Sequence, residues 1–278
     1  MKNKNKLWLI SFGCIGIGLV LLLAGMLLGG RPGFYIDRTG VHSPHENRSD
    51  TPHIQEKMKL DEFSSIDIDV NYADIQIQPS DGYYIEYQLD GNDPEPTLEV
   101  KNGKLRFKEG SVNGIIGFNI ASFSDFSRIS YDYQVTLYVP SDRYFSSVKL
   151  VSEDGKIRSG HLNAGTLDIH DDYGQVEIES FQGKELNVNM DDGDFILSNG
   201  HCENLNIDNE YGNVMLGMSN QLDTYDFNLE TEYGRIEVEG SPEMSNSDDE
   251  ARFKSNNGAA HQVKVRCNDG NIVITQAK

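Results

Sequence analysis

Apolar residues recur at four fixed offsets from a repeated glycine. With the glycine of each short acidic turn as position 0, the series is Gly155, Gly174, Gly193, Gly212, Gly234 and Gly270. The first three intervals are 19 residues each, the next is 22, and the last is 36, close to two periods. Position −7 holds Ile66, Val148, Leu167, Leu186, Leu205, Phe227 and Val263, and position −5 holds Ile68, Leu150, Ile169, Val188, Ile207, Leu229 and Val265. Position +2 holds Ile75, Ile157, Val176, Phe195, Val214, Ile236 and Ile272, and position +4 holds Ile77, Ser159, Ile178, Leu197, Leu216, Val238 and Ile274. Residues 66–77 form an outlying copy with Ala73 in place of the glycine. Of these 28 sites only Ser159 is not apolar, and they alternate with mostly polar residues. Two-residue alternation rich in β-branched side chains is the signal of strands, and a fixed repeat marks stacked units.

Two arrangements compete. A series of tight hairpins would pair −3 with +2 on one face and require an apolar −3. That position holds Ser152, Asp171, Met190, Asn209, Thr231 and Cys267, mostly polar. A solenoid corner makes no such demand, because its two strands lie on different sides of one coil. The spacing therefore predicts an all-β chain, a parallel β-solenoid of about 19 residues per coil. Residues 60–278 form this domain, less regular over 60–147 and built of regular coils over 148–278. Residues 240–250 read as a loop before the final coil, and 31–59, with Pro32, Pro44 and Pro52, as a stalk or linker.

Residues 7–30 carry no charge, and 24 such residues suffice for one transmembrane helix, which needs about 20. A cleaved signal peptide is the competing reading, but its apolar region is shorter and ends in a small-residue cleavage site that is missing here. Lys2, Lys4 and Lys6 precede the segment and Arg31 and Arg38 follow it. The excess of positive charge places residues 1–6 in the cytoplasm and the body outside the cell.

Composition narrows the function classes. The formal net charge is −20, from 44 Asp+Glu against 24 Lys+Arg, which excludes the phosphate-neutralising chemistry of nucleic-acid binding. Three cysteines exclude a disulfide scaffold. Cys202 and Cys267, placed about three coils apart, are expected to be unpaired. No Gly-x-Ser-x-Gly elbow, His-Glu-x-x-His or phosphate loop occurs, so a non-catalytic role without a cofactor is expected.

The order of segments carries a resemblance. An N-terminal anchor is followed by Phe-Ser-Ser-Ile-Asp-Ile at 63–68, Val-Thr-Leu-Tyr-Val-Pro at 135–140, and stacked Asp-Tyr-Gly or Asp-Gly turns. Over residues 60–278 this resembles the bacterial putative-adhesin domain of unknown function, to which LiaG-like membrane-anchored proteins belong. The resemblance implies an envelope-associated β-solenoid, often linked to envelope-stress regulation, with no catalytic residues to carry over.

The turn column supplies the candidate sites. Stacked acids at Asp154, Asp172, Asp191, Asp192, Glu210, Glu232 and Asp269 could be relieved by Ca²⁺, or could simply splay into water as turn residues do. Tyr173, Tyr211 and Tyr233, with Tyr72, form a partial aromatic strip for a partner. The apolar stretch 111–130, with Phe118 and Phe123, is expected to cap one end of the solenoid rather than to bind a partner. His42, His45, Glu46 and His53 match no metal spacing and read as a solvated linker. The expected role is a membrane-anchored extracellular interaction, envelope-sensing or adhesin-like module. Its partners would be the membrane through 7–30 and an envelope protein or cell-wall glycan. The alternatives are a surface enzyme on wall or capsular polysaccharide, and a structural protein self-associating through an uncapped final coil.

Overall fold

A computed structural model describes residues 51–91, 93–110, 132–242 and 250–277, the backbone of 33–37, 40–42, 116–119 and 244–245, and short helical pieces between 11 and 25. The strands, in chain order, are β1 (Gly33–Asp37), β2 (Gly40–His42), β3 (His53–Lys59), β4 (Ser65–Val70), β5 (Asp74–Ser80), β6 (Tyr84–Leu89), β7 (Thr97–Lys101), β8 (Lys104–Lys108), β9 (Ile116–Asn119), β10 (Gln134–Pro140) and β11 (Tyr144–Ser152). They continue with β12 (Ile157–Tyr173), β13 (Val176–Asp192), β14 (Phe195–Tyr211), β15 (Val214–Met218), β16 (Tyr225–Tyr233), β17 (Arg235–Val238), β18 (Met244–Ser245), β19 (Ala251–Lys254), β20 (His261–Asp269) and β21 (Ile272–Gln276).

The chain divides into two compact units, residues 1–50 with 112–131 and residues 51–111 with 132–278. In the first, β1 pairs antiparallel with β2 and with β9. Ile15, Ile17, Val20 and Leu21 are exposed helical residues. Among the described residues no helix is long and apolar enough to cross a membrane; most of 7–30, and Phe123, lie outside them.

The second unit is the solenoid. β12, β13 and β14 stack in parallel with a 19-residue register, Leu167 beside Leu186 beside Leu205. All 28 sites at −7, −5, +2 and +4 are buried, Ser159 included. The outlying copy joins directly: β4 lies in parallel register on β11, and β5 on β12. The described residues of 60–110 and 132–147 thus continue the stack instead of packing beside it, with Leu105 and Phe107 of β8 extending the −7 and −5 columns.

The coils do not stack in sequence order. β20 pairs with β14 on one side and β16 on the other, and β21 lies between β15 and β17. The final coil, 261–276, is therefore inserted between the coil of Leu205 and the coil of Phe227. β10 is inserted in the same way between β5 and β6.

The strand pairing corrects four expectations. The last coil in sequence is interior, so it offers no free end for self-association; the outermost coil is 225–238. That coil is covered by antiparallel pieces from the 240–254 segment, β18 on β17 and β19 on β16, so the expected loop is a cap. The linker does not reach residue 59: β3 is an antiparallel strand on β6, and Met58 packs against the core. Its polar sequence conceals it because an edge strand buries little. Cys202 and Cys267 are free, as expected, but on adjacent coils; they sit at different positions along the coil, Cys202 beside Gly183 and Cys267 beside Asn209.

Candidate functional site

The glycine corner is the most ordered feature of the solenoid. A Cβ built on Gly174, Gly193, Gly212, Gly270 or Gly234 would lie 2.0, 1.6, 2.1, 1.8 or 2.0 Å from the carbonyl oxygen of the stacked glycine in the preceding coil. No side chain fits, which is why the column is glycine. At +1, Asp and Asn oxygens accept the N–H of the next coil: Asp194 from Asn213 at 2.7 Å, Asn213 from Asn271 at 3.1 Å, and Asn271 from Arg235 at 3.1 Å.

Behind the corner runs a buried polar column that sequence reasoning treated only as not apolar. Ser152, Asp171, Met190, Asn209, Cys267 and Thr231 are all buried at −3. Their donors reach the glycine carbonyls that the ladder leaves over. Asn209 donates to the carbonyls of Gly193 and Gly212 at 3.1 Å each, Thr231 to Gly270 at 2.8 Å, and the Cys267 thiol to Gly212 at 3.3 Å. The available signal was that none of these residues is charged and basic, as a buried site requires. Asp171 is the exception in chemistry, because both carboxyl oxygens lack a hydrogen-bond partner. Burial pushes its pKa up to about 7, the charges of Asp172 and Asp154 add to this, and the neighbouring Ser152 hydroxyl offsets only part.

In front of the corner the coil order has a consequence for position −1. Read through the stack, the column is Tyr72, Asp154, Tyr173, Asp192, Tyr211, Asp269, Tyr233, an unbroken alternation. In sequence order Tyr211 and Tyr233 are consecutive and the alternation is lost. The four tyrosines are 57, 60, 54 and 69% exposed. Position −2 beside them carries Glu153, Asp172, Asp191, Glu210 and Glu232, and His170 Nε2 lies 3.3 Å from the Asp172 carboxylate. The candidate residues Tyr173, Tyr211 and Tyr233 therefore share one ridge with every acid considered for Ca²⁺. Among the described residues no three His, Cys, Asp or Glu side chains converge closely enough to hold a metal ion. Phe118 lies in β9 of the first unit, opposite Phe34 in the antiparallel pair.

A second surface feature was not foreseen. An open trench of about 400 Å³ runs along the −6 and −4 columns, lined by Asp168, Asn187, Asn189, Asn206, Lys264 and Arg266 among others. Its wall is an amide ladder: Asn187 donates to Asp168 at 2.9 Å and Asn206 to Asn187 at 3.1 Å. Such a ladder spends the Asn187 and Asn206 donors on their stacked neighbours.

No curated protein matches the sequence. Among solved structures, a putative cell adhesion protein from Clostridium sporogenes is 14% identical, covering 81% of this chain and all of that one, with a TM-score of 0.48. A putative adhesin from Bacteroides fragilis is 13% identical, covering 82% and 99%, with a TM-score of 0.44. A putative lipid binding protein from Parabacteroides distasonis is 12% identical, covering 82% and 98%, with a TM-score of 0.28. The family profile described as Toastrack DUF4097 matches residues 63–176 and again 145–275, nearly the whole solenoid, and by that match the chain belongs to the Toastrack DUF4097 family.

Proposed function

We propose that this protein is a single-pass, membrane-anchored interaction module that acts without catalysis. Residues 7–30 form the anchor, and the rigid coil stack stands outside the cell. The observation that carries the reading is the exposed tyrosine–aspartate ridge, held on a corner whose backbone is fixed by the glycine, Asx and −3 columns. A stiff edge of evenly spaced, solvent-facing aromatics is suited to gripping an extended partner, and aromatic residues are enriched where proteins meet partners. The adhesin-like names of the structural neighbours agree with this role without assigning it. The helical state and exposure of Ile15, Ile17, Val20 and Leu21 agree with the anchor.

Two measurements test the reading. Protease added to intact cells should digest the body; full protection would place it inside. A photo-crosslinking residue at position 173 or 211 should capture an envelope component, whereas one at position 185, an exposed site off the ridge, should not. Equal capture from all three positions, or none, would sink the ridge as the contact surface.

A further inference from the structure

We infer that the tyrosine–aspartate ridge binds an extended basic polypeptide segment in a polyproline II conformation, with a Lys or Arg at every third residue. The inference rests on the interaction-module reading above and names the chemistry of its partner. The starting point is the spacing. Neighbouring coils lie about 4.8 Å apart, so the aspartates Asp154, Asp192 and Asp269 recur about every 9.6 Å, each between two exposed tyrosines. A polyproline II chain rises about 3.1 Å per residue and repeats every three residues, about 9.3 Å per turn. One cation per turn therefore keeps step with one carboxylate per two coils, over the three sockets Tyr72–Asp154–Tyr173, Tyr173–Asp192–Tyr211 and Tyr211–Asp269–Tyr233.

The chemistry of each socket fits a cation. An ammonium or guanidinium group set against the aspartate lies between two exposed tyrosine side chains, whose ring faces attract a cation through their quadrupoles. The flanking −2 acids deepen the negative field, and on the three central coils the +1 neighbours are Gln175, Asp194 and Asn213, none of them basic. The basic residues of that column, Lys156 and Arg235, stand towards the two ends. Stiffness matters as well: a polyproline II segment has little conformational entropy left to lose, and the corner is already fixed, so ordering costs on both sides are small. A neutral glycan could stack on the tyrosines, but it would leave the carboxylates between them without a counter-charge.

The test uses the full chain in detergent micelles and two fluorescent twelve-residue peptides at physiological ionic strength. One is a Lys-Pro-Pro repeat; the other has the same four lysines placed consecutively. The repeat peptide should bind about tenfold more tightly than the clustered one. Tyr211→Ser, which opens two sockets, and Asp192→Asn should each weaken the repeat peptide about tenfold, the loss of one cation–π and ion-pair contact set. Tyr211→Phe should retain binding, and Glu185→Gln should leave it unchanged, with thermal melts confirming that all variants fold. Equal affinity for the two peptides, or equal weakening by Glu185→Gln, would reduce the effect to unspecific charge and overturn the inference. Tyr211-dependent binding of chitohexaose without binding of either peptide would overturn it in favour of a glycan surface. A ridge that crosslinks in cells but ignores spacing would sink this inference and leave the interaction-module reading standing.

Discussion

Asp171 is the residue at which the solenoid departs from its own rule. Every hydrogen-bonding neighbour in its column donates to a glycine carbonyl, and a charged carboxylate cannot donate. A protonated Asp171 can, so the folded state holds a proton near neutral pH that the unfolded chain releases near its usual 3.8. Folded protein thus binds more protons than unfolded between about pH 4 and 7, and stability falls as pH rises through that window, by up to about 1.4 kcal/mol per pH unit. Above pH 7 the full cost is present. Asp171→Asn copies the arrangement of Asn209, which satisfies two glycine carbonyls. It should remove that pH dependence and stabilise the protein at pH 8 by about 1–3 kcal/mol, the cost of an unsatisfied buried polar group. Urea melts of both proteins at pH 5 and pH 8 read this directly; an equally pH-dependent variant would place the proton elsewhere.

Among the elements, the ends of the stack carry the greatest hazard. A solenoid coil with an open face presents unpaired N–H and C=O groups to any other strand. β19 closes that face on β16, with Phe253 beside Leu229 and 6.2 Å from the Phe227 ring. Phe253→Asp should loosen this cap and drive concentration-dependent association, seen as faster-sedimenting species, while the unaltered chain does not associate through that end. Hydrogen exchange should show the same gradient: slowest in β12, β13 and β14, which are paired on both sides, and fastest in the two-residue β18. The repeat elements were legible because their alternation has period two and their register has period 19. The caps were not, because a short antiparallel piece such as Arg252 or Lys254 beside the end coil has no repeat to match and buries one face only.

For the whole molecule, the inserted final coil converts a linear array into an interlocked one. In a simple solenoid the last coil can be removed and the rest persists, since each unit touches only its neighbours. Here coil 261–276 lies between the coil of Leu205 and the coil of Phe227, so a chain stopped at residue 257 loses an interior layer. Strands β16 and β17 should then lose their protection together with the missing residues. Limited proteolysis checks this: cleavage throughout 219–257 is expected, whereas cleavage confined to the new terminus would mean the outer coil can re-dock on Leu205 alone.

The sequence by itself determined the local geometry. Alternation at Ile169, Val188 and Ile207 specified strands, glycine at 155, 174 and 193 specified a corner too tight for Cβ, and the 19-residue interval specified the register of central coils. These are short-range facts, set by side-chain periodicity and backbone sterics. Tertiary structure decided which coil lies beside which. The inward faces of the coils at Val263 and Phe227 are apolar at the same offsets, so the pattern lets either stack on Leu205, and only the three-dimensional pairing puts Val263 there. That choice, absent from any local pattern, is what brings Asp269 between Tyr211 and Tyr233 and completes the ridge.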